Sequence, residues 1–222
     1  MATVQVIDVI DRAEEILQDT SNVRWSQQTL LDYLNDAQRE IVLFRPDAST
    51  TNESFTLAQS AKQSLPSGGL RLLDVYKNIS PNTNPVTIIE RKILDDQIDD
   101  WYSKTGTAVE HYVYNPVDPK NFYVYPYPST SGNTIEIIYS SAPSKITISD
   151  FTTDTDTISL DDTYANAILD YMLYRAYQKD SEYAGDLQRS ASYYASFQNA
   201  LGIKTQADAG SQPRPATPAQ DT

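Results

Sequence analysis

A single histidine, His111, stands in HYVYNPVDPKNFYVYPYP, residues 111–128. An imidazole there could act as a general base, but a nucleophile–base pair needs a third group to orient it. The chain has no cysteine and no Gly-x-Ser-x-Gly elbow. Four acids, Asp95, Asp96, Asp99 and Asp100, could supply the carboxylate pair of a glycoside hydrolase. Asp96 and Asp100 would be one such pair, with Trp101 available to stack on a sugar, but nothing in the sequence fixes their separation. Asp150, Asp154 and Asp156 invite a calcium loop. Counted from Asp154, however, the EF-hand's fifth-position acid or amide, sixth-position glycine and twelfth-position glutamate fall on Ile158, Ser159 and Ala165. Lys104-Thr-Gly-Thr lacks the spacing of a phosphate-binding loop. Asn52-Glu-Ser and Asn78-Ile-Ser match the glycosylation sequon, which has meaning only in an exported chain. No catalytic residue, metal site or cofactor is expected.

The aromatic stretch around His111 has three readings. It is an active-site wall, a stacking platform for nucleic acid, or packed β-structure. Stacking platforms come with a basic groove, and only Lys120 is nearby. The favoured reading is a hairpin with one tyrosine-rich face, closed by the loop NPVDPKN and ended by Pro126 and Pro128.

The elements that must position these residues follow from spacing. The chain has 222 residues, 40% hydrophobic and 21% charged, with a net charge of −13. That is ample for a core and unfavourable for binding phosphate backbones. Between 146 and 174 there is no Lys or Arg, but there are six Asp. Neither a signal peptide nor a membrane-spanning run is visible, so a soluble, unexported chain is expected.

Val6, Ile10, Ala13 and Leu17 mark one face of a helix over 3–19. Ser26 caps a second, with Leu30, Leu34, Ala37 and Ile41 inward and Pro46 ending it. Short strands are expected at 54–57, 70–75, 86–89, 111–114, 122–125 and 134–139, with an acidic helix over 90–101. Ser159-Leu-Asp-Asp162 has capping-box form and opens a third long helix. Asp180-Ser181 breaks it. A fourth follows over 182–201, carrying Tyr183, Leu187, Ala191, Tyr194, Phe197 and Leu201, with Gly202 as its terminator. The remainder is rich in Pro, Ala, Gln and Thr and is expected to be disordered alone.

The expected fold is α+β. An antiparallel bundle of two N-terminal helices (1–46) and two C-terminal helices (159–203) carries an inserted antiparallel β-rich region (47–158) and a flexible tail (204–222). Tyr171, Tyr174, Tyr177, Tyr193 and Tyr194 exceed what one packing stripe needs. They are candidates for a subunit interface.

The stretches VIDRAEEILQDTSNVRW, LLDYLNDAQREIVLFRPDA, LRLLDVYKNI, HYVYNPVDPKNFYVYPYP and LDDTYANAILDYMLYRAYQKDSEYA occur in order. Together they resemble a family of tailed-phage virion proteins, the head-to-tail adaptors, also called connector or head-completion proteins. Asn35-Asp-Ala-Gln-Arg-Glu40 and Tyr174-Arg-Ala-Tyr177 are its most telling motifs. The resemblance spans about residues 3–203. It implies a structural protein without catalysis, made in the host cytoplasm and placed at the neck of the virion. It further implies a closed ring of about twelve copies between the portal protein and the tail nozzle or tube. Double-stranded DNA would pass through without tight binding, and no membrane is involved. The C-terminal segment would grip the portal, which makes Thr205, Gln206, Gln212, Pro213, Arg214 and Pro215 portal-interaction candidates. The competing reading is a phage-associated glycan hydrolase using Asp96 and Asp100. A nucleic-acid-binding module is a third.

Overall fold

The computed structural model of the chain describes residues 2–179 and 184–211. In chain order its elements are α1 (Val6–Leu17), α2 (Gln27–Phe44), β1 (Thr50–Thr56), β2 (Lys62–Ser64), β3 (Gly69–Ser80), β4 (Thr87–Ile88) and α3 (Arg91–Gln97). Then come β5 (Thr105–Gly106), β6 (His111–Tyr114), β7 (Asn121–Tyr125), β8 (Tyr127–Pro128), β9 (Thr134–Ser141), α4 (Ala165–Lys179) and α5 (Ala184–Ser211). They form two compact units, a helical one of Met1–Arg45 with Ser144–Thr222 and a β-rich one of Pro46–Pro143. The fold class is α+β.

In the helical unit the four-residue spacing does what the sequence implies. Val6, Ile10, Ala13 and Leu17 of α1 are all buried, as are Leu30, Leu34, Ala37 and Ile41 of α2. Between the helices Asp19 accepts the backbone N–H groups of Val23, Arg24 and Trp25 at 2.8–3.0 Å. Those donors hold its carboxyl below the usual range. Ser26 caps α2, its Oγ accepting Thr29 N–H at 3.2 Å. Helix α4 lies against α1, α2 and α5.

The start of α4 differs from the expected capping box. The cap is Asp161, which accepts Thr163 N–H at 3.0 Å and begins a 3-10 turn. Ser159 instead donates to Ser144 O, at 2.9 Å. Asp162 accepts Thr3 N–H at 2.7 Å and Val4 N–H at 3.0 Å. Val4 O accepts Ile158 N–H at 3.1 Å. These bonds, with the buried side chains of Ile146, Ile148, Ile158 and Leu160, tie 144–164 into the helical unit. The β-rich unit therefore closes at 143 rather than at the expected 158.

The end of α5 differs too. Gly202 stays helical and α5 runs on to Ser211. A helical glycine costs about 1 kcal/mol relative to alanine, and the residues that follow include the good helix formers Lys204, Gln206, Ala207 and Ala209. The break expected at Asp180-Ser181, together with Tyr183, lies outside the described residues, as does 212–222.

The β-rich unit encloses one core between two sheets. The first is antiparallel, in the order β1-β9-β3; the second has the order β2-β7-β6-β4. Leu72, Val75, Ile135 and Ile137 of the first meet Tyr112, Phe122 and Val124 of the second. Against the expected all-antiparallel region, β4 pairs with β6 in parallel, and so does β5 with β8. Each of these pairs is two residues long.

Strand β3 is irregular. Its twelve residues pair with the eight of β9, with a register shift at Gly69/Arg71, Leu72/Asp74, Val75/Lys77 and Asn78/Ser80. Each shift leaves one residue unpaired, and the four are Leu70, Leu73, Tyr76 and Ile79. A repeated bulge turns the period-two strand into a period-three one. Leu72, Val75 and Asn78 point into the core, while Leu73, Tyr76 and Ile79 are exposed.

Candidate interaction surfaces

The hairpin of β6 and β7 settles how the opening aromatic stretch is used. Its register pairs Tyr112 with Val124 and Val113 with Tyr123. Tyr112, Phe122 and Val124 face the main core. Val113, Tyr123 and Tyr125 face a second cluster built on Leu94 and Trp101. The tyrosines thus divide between two faces instead of sharing one, because antiparallel pairing sets the two Tyr-Val-Tyr copies out of phase. Tyr112 donates its hydroxyl to Asp74 at 3.0 Å. Burial and that carboxylate both hold its pKa well above the ordinary tyrosine value. His111 Nδ1 lies 2.7 Å from Thr87 Oγ1, a bond between the neighbouring strands β4 and β6.

Asp95 and Asp150 are occupied structurally. Asp95 accepts Trp101 Nε1–H at 2.8 Å and Arg91 Nε–H at 3.0 Å. Those donors push its pKa below the carboxylate norm, opposite to the upward shift a general acid needs. Asp96 and Asp100 are exposed. Trp101 is 2% exposed and stacked on Tyr102 at 3.7 Å, so it offers no platform for a sugar ring. Asp150 accepts Thr152 N–H at 2.9 Å, with Thr152 and Thr153 hydroxyls alongside, which makes a self-satisfied turn. Among the described residues no cluster of three or more His, Asp or Glu could hold a metal ion. No helix among them is long and apolar enough to cross a membrane.

The two most telling motifs meet in the helical unit. Buried Asn35 donates to Leu31 O at 3.1 Å and to Ile146 O at 3.0 Å, and accepts Ile146 N–H at 2.9 Å. Gln38 accepts Ser159 N–H at 2.6 Å. Both residues clamp the returning segment onto α2. Arg175 of α4 reaches Asp36 at 3.4 Å and the Tyr171 hydroxyl at 3.2 Å, with its guanidinium over the ring of Tyr33. The motifs hold helices together and bring no reacting groups into line.

The candidate interface tyrosines form a ladder between α4 and α5. Tyr171 packs edge-on against Phe197 at 5.3 Å, Tyr174 meets Tyr194 at 4.8 Å, and Tyr177 stacks parallel to Tyr193 at 5.7 Å. Tyr171 and Tyr177 are buried within the chain, whereas Tyr174, Tyr193 and Tyr194 keep part of their surface in solvent. The same pairings give the register of the two helices. Ser190 bonds Tyr174 O, and further on Lys204 sits over the ring of Tyr164, just before α4 begins. Residues 205–211 of α5 therefore overhang the start of α4. Of the portal candidates, Thr205 and Gln206 lie on this overhang, with Gln206 exposed. Gln212, Pro213, Arg214 and Pro215 fall outside the described residues.

The β-rich unit adds two surfaces the sequence did not disclose. One is the exposed row Leu73, Tyr76 and Ile79. Its signal was in plain view, an apolar residue every third position from Leu70, but it fits neither a helix nor a regular strand. The other is a groove of about 650 Å³ where β4 ends short of Tyr114, lined by Ile88, Tyr102, Val113, Tyr114 and Tyr123. Glu90 and Asp118 stand in its lining.

No curated protein matches the chain. Residues 4–219 match the family model of the SU10 adaptor protein, which bears out the adaptor resemblance. Both motifs, at 35–40 and 174–177, fall inside that match, and the chain belongs to the SU10 adaptor protein family.

Proposed function

We propose that the chain is a structural head-to-tail adaptor of a tailed-phage virion. About twelve copies close into a ring between the portal protein and the tail, around the path of the exiting DNA. The observation that carries this reading is the overhang of α5. Residues 205–211 extend the helix by about 10 Å, at roughly 1.5 Å per residue, beyond Lys204, which sits over the ring of Tyr164. A helical end of this kind suits a grip on a neighbouring protein ring. The packed helices act as a rigid base, and their aromatic ladder and clamped return segment resist the load of holding a tail. An excess of acidic residues favours passage of DNA over binding, because like charges repel phosphates.

Sedimentation velocity of the portal ring with the adaptor tests the grip. The full chain is expected to move with the portal. A chain ending at Lys204 is expected to fold, with its helix content lowered only by the residues removed from the end of α5, and to sediment alone. Equal binding by both would remove the C-terminal segment from the grip. Asp96→Asn with Asp100→Asn is expected to bind as the unaltered chain does; loss of a glycan-cleaving activity in that variant would instead favour the hydrolase reading.

A further inference from the structure

We infer that the groove beside β4 binds a neutral saccharide, a property that does not depend on the copies closing into a ring. Its platform is Tyr102. One face of that ring stacks on Trp101 at 3.7 Å, and Trp101 is itself held by its indole N–H to Asp95 at 2.8 Å. Tyr123 lies nearly perpendicular to both rings and almost equally far from each, 5.8 Å from Tyr102 and 6.2 Å from Trp101. A ring capping the outer face of Tyr102 would be much farther from Trp101 than from Tyr102. Tyr123 therefore stands beside the stack and leaves the outer face open, and Tyr102 is 45% exposed.

The groove, at about 650 Å³, is in the size range of small-molecule sites. Two acids, Glu90 and Asp118, and two bases, Arg91 and Lys92, stand around the platform. Arg91 is already held by Asp95 at 3.0 Å. No surplus of positive charge is left for a phosphate or carboxylate, and two cationic side chains disfavour an amine. Among the described residues Glu90 and Lys92 have no ion-pair partner, and the hydroxyls of Tyr102 and Tyr123 no hydrogen bond. Donors and acceptors are thus both available beside an open aromatic face.

That combination selects the ligand class. A purely apolar molecule would bury the polar groups unpaired, which is unfavourable. A peptide strand finds little backbone to pair with, since β6 outruns β4 only by Val113 and Tyr114. A saccharide meets each condition. One side of a pyranose is a flat patch of weakly positive C–H bonds, which suits the negative face of an aromatic ring. Its rim carries hydroxyls, each able to donate and to accept. Glu90 and Asp118 accept from those hydroxyls, and Lys92 donates to their oxygens.

The full chain is tested on an array of neutral, sialylated and sulfated oligosaccharides. Glycans that bind are then titrated by tryptophan fluorescence, to which Trp101 beneath the platform contributes. Binding confined to neutral glycans is the expected result. Tyr102→Ala should weaken it roughly tenfold or more, and Tyr102→Phe, which keeps the ring, only slightly. Lys92→Ala changes an exposed side chain outside the aromatic stack, so it tests the groove even if Tyr102→Ala unfolds the chain. It should weaken binding about threefold, as loss of one hydrogen bond does. A folded chain that binds no neutral glycan overturns the site. Preference for sialylated or sulfated glycans overturns the neutral ligand. Undiminished binding by a folded Tyr102→Ala chain, or by Lys92→Ala, overturns the groove as the place where the sugar sits.

Discussion

The two units treat their aromatic and apolar surplus in opposite ways. In the helical unit Tyr171, Tyr174, Tyr177, Tyr193 and Tyr194 turn toward each other and toward Phe197 across α4 and α5. In the β-rich unit a repeated bulge sets Leu73, Tyr76 and Ile79 on the outside. Residue type alone does not distinguish the cases. What differs is whether a second element of the same chain lies opposite. Helix α5 gives α4 a facing surface along its length, whereas the outer side of β3 ends in solvent. An excess of tyrosine in a sequence is therefore weak evidence for a subunit contact until the internal partners are known.

The contrast breaks most readily at Phe197, which is fully buried and touches Phe44, Tyr171 and Tyr194. Phe197→Ala should cost about 3–5 kcal/mol in urea unfolding. Tyr76→Ala in the same experiment should stay within about 1 kcal/mol, as surface substitutions do. Comparable losses would mean the row belongs to the core of the free chain. Asn35→Leu tests the clamp beneath the ladder. It leaves the buried N–H and C=O of Ile146 without their side-chain partner, and should lower stability by about 2–3 kcal/mol. A neutral result would show that the return segment is held by its isoleucines alone. Tyr112→Phe removes one hydroxyl bond to a carboxylate and should cost about 1–2 kcal/mol, measured the same way.

The smallest effect is expected at Asp170, half-buried in α4, where burial holds the pKa above the ordinary value of 3.8. A raised carboxyl pKa means the folded chain takes up a proton more readily than the unfolded one. Its charge therefore opposes folding at neutral pH, and the opposition fades as pH falls through the folded pKa toward 3.8. Asp170→Asn should raise the thermal midpoint slightly at pH 7 and lose that advantage in acid. A stabilisation that persists unchanged at pH 3 would rule out this cause.

Much of the helical unit was legible because an apolar residue every third or fourth position is the direct signature of a buried helix face, and Val6 to Leu17 carries it cleanly. The caps were less so. Ser159 and Asp161 are both good cap residues, and only the competing carbonyl of Ser144 decides between them. Gly202 looks like a terminator, but helix propensity on either side carries the chain through it. In the β-rich unit the bulges hid β3, since a strand that inserts a residue at each step no longer alternates. The hairpin was visible as a hairpin, yet which tyrosines share a face depends on the register of two strands, a property of the pair and not of either sequence. The motifs at 35–40 and 174–177 stood out by resemblance, but their contact through Asp36 and Arg175 joins residues far apart in the chain.

The measurement that bears most directly on the adaptor account is the native mass of the portal ring with and without the full chain. A single discrete complex carrying about twelve added copies, with few partly filled rings, is the predicted result for a closed cyclic assembly. A portal ring that stays at its own mass while the folded chain remains free would contradict it.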